Sequence, residues 1–292
     1  MRATFLQRLA KKNNLLTTNN TKINKPYEPS LVNTENRKTE KGEEHGYLTG
    51  IMHLVPSDLS GHGNVCPYAS PECRAHCLNT AGTWVNSNNV KESRQYKTEL
   101  YFKNRPQFLR ELRKSIESLV RKAKKRGLKP AIRINGTSDL PGVARQMARE
   151  YPEVQLYDYT KIPRPWERTL PNYHITFSRS EQNEAEAMKA LEHGVDVAVV
   201  FDVKKGSPLP GEWRGYPVID GDIHDLRFLD KLEGEGPFIV GLRAKGKARS
   251  KGTDSGFVVN IKPIEKSKEK AASLLRRREC PYVEAWREKF FA

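Results

Sequence analysis

Apolar positions along the chain switch between two periods, and the switches mark out an alternation of strands and helices. Tyr47-Leu48-Thr49-Gly50-Ile51-Met52-His53-Leu54-Val55 has β character and stops at Pro56. Two helices follow, over 89–103 and 106–126. In the second, Phe108, Leu109, Leu112, Ile116, Leu119 and Val120 recur at helical spacing, and Gly127 signals its end. Beyond it, strands are predicted over 131–134, 154–159, 173–178, 195–201, 217–220 and 238–242, with an edge at 257–259. Helices are predicted over 143–150 and 181–193, and a last one over 266–278 that carries Cys280 at its end. Residues 1–45 break the pattern. They are rich in Asn, Thr and Lys and read as a flexible polar and basic arm, with a short helix near 5–12.

This rhythm predicts one α/β domain over 46–292 with a parallel sheet: a TIM-like βα barrel or partial barrel. In such folds the working residues gather just past the C-terminal ends of the strands. The polar residues are distributed accordingly. A cysteine loop at 62–82 follows the first strand, Asn135 to Asp139 the second, and Thr160 and Lys161 the third. Ser178 to Ser180, then Asp202 and Lys204, follow the next two. Asp220, Asp222, His224, Asp225 and Arg227 come after the sixth, and Arg243, Lys245 and Lys247 after the seventh. All are expected on one rim.

Charge narrows the class of partner. With 51 Lys and Arg against 35 Asp and Glu, the net charge is +16. Such an excess suits a polyanion, most simply nucleic acid, bound through phosphate contacts and counterion release; a solvated basic surface is the plain alternative. Hydrophobic residues make up 37% of the chain, and no run approaches the ~20 apolar residues of a membrane helix, so a soluble protein without a membrane partner is expected. Residues 1–16 are basic but lack a long apolar run and a cleavage site, which points to the cytoplasm, where thiols stay reduced.

Three of the four cysteines fall in Cys66-Pro-Tyr-Ala-Ser-Pro-Glu-Cys73-Arg-Ala-His-Cys77, and the fourth is Cys280. Thiolates must converge to hold a metal, and short spacings let one loop supply several. A disulfide scaffold would use more cysteine, and buried free cysteines rarely cluster so closely. The expected centre is an iron–sulfur cluster, of the 4Fe–4S kind, ligated by Cys66, Cys73 and Cys77 with Cys280 as a candidate fourth. Zinc is the alternative, with His62 or His76 able to complete a site. Proline directly after Cys66 and Cys280 favours iron–sulfur.

Other constellations add candidates. Asp139 with Asp222 and the Asp220 to Asp225 run offer hard oxygen ligands for a divalent cation and phosphodiester chemistry, or simply turns and ion-pair partners. Tyr157 and Tyr159 alternate on a strand and share a face, with Lys161 beyond. Either tyrosine would serve a DNA-nicking replication initiator, although the usual histidine pair is missing; a base-stacking pocket is the other reading. Arg243, Lys245, Lys247 and Arg249 alternate with small residues in a strip suited to phosphate contacts.

A cysteine loop after the first strand of a βα barrel resembles the radical S-adenosylmethionine enzymes. Asn135 and Gly136 fall where those enzymes place a cofactor turn, while Cys-x6-Cys-x3-Cys departs from their usual Cys-x3-Cys-x2-Cys. A closer resemblance is to uncharacterised phage and prophage proteins. It is carried by 46–51, Asn64-Val65-Cys66-Pro67, 77–82, 133–139, Tyr157-Asp158-Tyr159-Thr160-Lys161, 220–227 and 241–248. The chain is also distantly similar to the phage gene product 88 type. These resemblances imply a viral origin and the host cytoplasm. The function expected is an iron–sulfur or zinc protein acting on nucleic acid or a nucleotide-derived substrate, with Asp139, Tyr159, Lys161, Asp222 and His224 as catalytic candidates. A non-enzymatic DNA or RNA binder with a structural metal, and a nickase, are the alternatives.

Overall fold

The computed structural model describes residues 30–34, 41–77, 87–230, 236–251 and 255–261. The helix expected over 266–278, Cys280, and the short helix near 5–12 lie outside the described residues. A nine-stranded sheet forms the frame, in the order β1-β2-β3-β4-β5-β6-β9-β8-β7. Its strands are β1 (Val32–Asn33), β2 (Tyr47–Met52), β3 (Lys129–Arg133), β4 (Gln155–Thr160), β5 (Tyr173–Ser178), β6 (Val197–Phe201), β7 (Glu212–Trp213), β8 (Tyr216–Asp220) and β9 (Ile239–Arg243). From β2 through β8 in that order every ladder is parallel; β1 and β7 are antiparallel edges.

Strands β2 to β6 lie side by side in sequence order, as in a barrel, but the sheet keeps two edges. No ladder joins β7 or β8 to β1 or β2 among the described residues, so the fold is a mixed α/β one with a mostly parallel sheet, and closure into a full barrel is not seen. The helices are α1 (Pro71–Ala75), α2 (Asn88–Lys103), α3 (Arg105–Lys125), α4 (Pro141–Glu150), α5 (Glu184–Glu192) and α6 (Ala248–Lys251).

Helix α3 shows how the sequence builds this layer. The Asn104 side chain caps it by accepting from the Gln107 N–H at 3.2 Å, and Pro106 sits in the first turn, where its missing N–H costs nothing. Phe108, Leu112, Ile116, Leu119 and Ala123 are buried along one stripe against β2 and β3. Gly127, at φ +66°, takes the left-handed turn that ends the helix and starts β3.

Alternation along the strands sorts the side chains. Ile132, Leu156, Ile175, Phe177, Val197, Val199, Phe201 and Ile239 face the helices in two apolar clusters. The opposite residues, Ala131 and Tyr157 among them, pack with Leu226, Tyr47 and Phe228, so the chain around the 3-10 turn Arg227–Leu229 covers the other face.

Departures from the expected elements have local causes. Inside the stretch read as an arm, Leu31 and Val32 are buried, and the Leu31 N–H donates to Ser115 Oγ on α3 at 3.1 Å, which ties β1 to the sheet. Strand β2 ends at Met52 because the chain turns to donate the Val55 N–H to Thr98 Oγ1 on α2, at 2.8 Å. Helix α5 begins three residues late because Asn183 Oδ1 accepts from the Ser180 N–H at 2.6 Å. The expected edge at 257–259 is a single parallel bridge, Phe201 to Val259.

Gly50 marks the tightest approach of β2 to its covering. A Cβ there would lie 2.4 Å from Val32 Cγ1 and 3.3 Å from Leu119 Cδ2. Gly50→Ala is expected to destabilise the fold by about 1–3 kcal/mol through overpacking. Gly142→Ala, in the first turn of α4 with nothing within 4 Å, should be neutral or stabilising by up to about 1 kcal/mol. Urea unfolding of the two variants measures the difference.

Candidate functional site

The loop after β2 crosses the mouth formed by the C-terminal ends of the strands. Its first part is pinned from below: the Asp139 N–H donates to Val65 O at 2.8 Å, and the Cys66 thiol faces Thr137 O at 3.6 Å. The Ser57 N–H donates to Cys66 Sγ at 3.4 Å. Its second part is the short helix α1, whose N-terminus is held by Glu181, beyond β5. Glu181 accepts from Ser70 Oγ at 2.9 Å and from the Glu72 N–H at 3.3 Å. Cys73 then packs against Ala244, Ala248, Phe257 and Val258, on the segment that follows β9. The cysteine loop and the basic strip therefore meet.

Cys66, Cys73 and Cys77 are partly buried, and none is in a disulfide among the described residues. Burial pushes the Cys66 thiol up to about 12, and charge on Cys77 and Cys73 pushes in the same direction, so the three lie in one electrostatic neighbourhood. Their donor chemistry suits a soft metal. Their positions do not form a ligand set: among the described residues no three His, Cys, Asp or Glu side chains come together as a metal-holding group. His76 is buried against Glu72 at 3.0 Å, and His62 lies 4.0 Å from Glu99, so each histidine has a carboxylate neighbour.

Behind the loop, the residues past β3 and β4 bind one another. Asp158, 1% exposed, accepts from the Asn135 N–H at 2.7 Å, from Asn135 Nδ2 at 2.9 Å and from the Tyr173 hydroxyl at 3.2 Å. Asn135 Oδ1 accepts from Ser138 Oγ and the Leu140 N–H, both at 2.9 Å. Gly136 has no room for a Cβ, which would lie 2.6 Å from Met52 O. Asp139 accepts from Thr160 Oγ1 and the Lys161 N–H, both at 2.8 Å. Asn135, Gly136 and Asp139, expected at a cofactor turn or as a catalyst, thus knit β3 to β4 and to the cysteine loop. Burial raises Asp139 above the usual carboxylate range and pushes Asp158 up to about 7.

The sheet face away from the helices is polar. Arg133 pairs with Asp225 at 3.0 Å and lies over the Tyr159 ring, 4.5 Å from its centroid. Arg227, 1% exposed, lies 3.2 Å from Asp230 and donates to the carbonyl of His224. His224 Nε2 is 3.8 Å from Asp230, and burial with the Arg227 charge pushes the imidazole down to about 4. Asp230 is pushed up to about 7 by burial. His174 stands 3.6 Å from Asp196 on the neighbouring strand end. Tyr157 is wholly buried beside Phe228, with no hydrogen-bond partner for its hydroxyl among the described residues and its ionisation suppressed by burial. Tyr157 and Tyr159 do share a face as their alternation predicts, but Tyr157 is out of reach of a DNA strand. Tyr159 and His224 come together around Arg227 and Asp230; Asp139 and Lys161 form a second group.

Asp220 and Asp222 form a third group. Arg243 Nη1 donates to Asp220 Oδ1 at 2.8 Å and to Asp222 Oδ2 at 3.2 Å, and Lys245 Nζ to Asp222 Oδ1 at 2.6 Å. Burial opposes their ionisation, but these bonds outweigh it and hold both carboxylates below the usual range. These are ion pairs within the fold, and Arg243 and Lys245 are engaged by the protein itself. Lys247 and Arg249 are exposed.

Arg133, Asp158, Asp230, His174 and Asp196 were not singled out from the sequence as site residues. A signal existed for three: an Arg in the apolar strand 131–134, an Asp between Tyr157 and Tyr159, and Asp196 in the apolar run 195–201 are charges where a buried strand expects none. The pairing of Asp230 with Arg227 needed the fold.

Asp158 gives a pH signature. An unfolded aspartate titrates near ~4, so between that value and about 7 the folded state binds the extra proton. The contribution is full at low pH and is lost as pH rises through about 7. Asp230 acts in the same direction. His224, depressed to about 4, acts oppositely below its unfolded value of ~6.5 and adds no slope above it. Asp158→Asn should therefore flatten the decline in stability between about pH 6.5 and 8, seen in urea midpoints across that range.

Comparison with known proteins gives a family match. The family model described as Gene product 88 covers residues 15–261, well over half of the chain and nearly every described element. No curated protein and no solved structure matches. On the extent of that match, the chain belongs to the Gene product 88 family.

Proposed function

We propose that this phage-type protein acts in the host cytoplasm on nucleic acid or a nucleotide-derived substrate, bound at the mouth where the cysteine loop meets the strip after β9. One observation carries the reading: Cys73 packs against the cluster of Ala244, Ala248, Phe257 and Val258, which brings the cysteine loop to the segment that carries Lys247 and Arg249. The net charge of +16 supports a polyanionic partner. Placement at the C-terminal ends of parallel strands is where α/β folds carry their sites.

The cysteine spacing adds an iron–sulfur or zinc centre to this reading. Three thiols on one loop, acting on each other's charge, are its support, and no chemical step is routed through it because the thiols as placed do not converge. S-adenosylmethionine has the thinner support, since Asn135 and Gly136, which would form its turn, are held by contacts within the fold. A second reading is favoured by that same engagement of Asn135, Asp139 and Asp222: a non-enzymatic nucleic-acid binder whose centre only secures the loop. The nickase reading draws no support from a buried Tyr157.

Anaerobic purification with metal and sulfide analysis separates these cases. Iron with matching sulfide is the expected result. One zinc without sulfide would leave the binder, and no metal at all would remove the centre from the proposal. For the partner, binding to a DNA or RNA oligomer should fall steeply with salt. Lys247→Gln combined with Arg249→Gln should weaken it and reduce the slope of log K against log salt by roughly 1.8. Absence of any salt-dependent binding would sink the nucleic-acid reading.

A further inference from the structure

A side-chain ring that stacks on a nucleobase must offer it an open face. Tyr157 is wholly buried, and the Arg133 guanidinium lies over the Tyr159 ring. Among the described residues the most exposed aromatic side chain is Tyr68, at 53%, in the loop after β2. A lone exposed ring needs no explanation by itself; its mounting and its place set this one apart.

The mounting is stiff. The Ala69 N–H donates to Cys66 O at 3.1 Å, closing a turn with Pro67 and Tyr68 at its two central positions. Pro67 fixes the backbone at the first of them. Just before the turn, the Cys66 N–H donates to Asn64 Oδ1 at 2.8 Å. Both sides of the turn are anchored at strand ends. Val65 O accepts from the Asp139 N–H, past β3, and Ser70 Oγ donates to Glu181, past β5. In the sheet β4 lies between those two strands, so the turn spans the C-terminal end of β4, which Lys161 follows. Tyr68 is thus held out over the mouth, and no hydrogen bond or ring contact joins it to a described residue.

A ring fixed in this way loses little freedom on binding, because only its two side-chain torsions remain to be ordered. Bases within a duplex are already stacked on one another, so such a ring meets only a base that is unpaired. Cations for the attached phosphates stand on the segment that the same loop reaches through Cys73, where Lys247 and Arg249 are exposed.

We propose that Tyr68 is a stacking platform for an unpaired nucleobase, carried by a single strand or by a free nucleotide. The inference rests on the reading of nucleic acid or a nucleotide-derived substrate at this mouth, and it states which form of that substrate the mouth accepts.

Titration of the full chain with 2-aminopurine probes tests it, using a single-stranded oligonucleotide, the matching duplex and the free 5′-mononucleotide at one salt concentration. The wild type should bind the single strand or the mononucleotide with a change in probe emission. Tyr68→Ala should weaken that binding by about tenfold and remove the emission change. Its urea midpoint and its salt slope should match the wild type, because the ring is exposed and uncharged. Tyr68→Phe should keep both the affinity and the emission change. Dependence on Tyr68 for the single strand points to a strand, and for the mononucleotide alone to a free nucleotide. Equal affinity in the wild type and Tyr68→Ala overturns the platform. So does an equal loss on the single strand and the duplex, or a loss in Tyr68→Phe as large as in Tyr68→Ala. Salt-dependent binding that weakens in the Lys247 and Arg249 variant but not in Tyr68→Ala would remove only the platform and leave the functional reading standing. No salt-dependent binding of any probe would remove both.

Discussion

A charge taken out of water needs an opposite charge beside it, and the polar face of this sheet is organised around that requirement. Among the described residues the long helices α3, α4 and α5 pack on one face of the strands. The other face carries Arg133 and Tyr159, and the chain itself returns over it to supply Asp225, Arg227 and Asp230. Removing one partner of such a buried pair typically costs about 3–5 kcal/mol. The run 220–230 is therefore a structural cover as much as a source of functional groups. It fixes where β8 ends, why the sheet need not close to be protected there, and which residues stand around Tyr159 and His224.

The same requirement separates the mouth into regions of different character. Around Asp220 and Asp222 every carboxylate is matched by Arg243 or Lys245, and the region is held firmly by ion pairs. Around Asn135 and Asp158 the bonds are internal to the fold, and burial keeps the carboxyl close to neutral. Around the cysteine loop the balance is different: burial resists ionisation of the Cys66 thiol, and Arg94 on α2 acts on Cys77. Here the loop after β2 also reaches the segment after β9, through Cys73 and the cluster that holds Phe257.

Much of the framework was legible from the sequence. The stripe of Phe108, Leu112, Ile116 and Leu119, the β-rich runs at 173–178 and 195–201, and the Gly127 stop reproduce helices and strands to within a few residues, because burial on one face dictates a period that survives in any context. The site was legible only in part. The sequence placed Cys66, Cys73 and Cys77 on a loop past the first strand and grouped them with the other strand ends, which is where they lie. It read Asp222 as a candidate catalyst and Arg243 and Lys245 as candidates for binding phosphate, and it gave no sign that Asp222 pairs with both. A carboxylate's spacing from a distant arginine leaves no mark on either local pattern.

What the sequence by itself determined is the alternation of elements, the parallel sheet that alternation demands, the basic character of the molecule and the concentration of thiols on one loop. These follow from local periodicity and composition. What only the tertiary structure decided is which charges meet: Arg133 with Asp225 across 92 residues, and Arg243 with Asp220 across 23. Whether the sheet closes was also left to it, since closure depends on the twist summed over every strand rather than on any one of them. The reason in each case is that Coulomb partners and sheet edges are chosen by distances in space, and the chain writes only distances along itself.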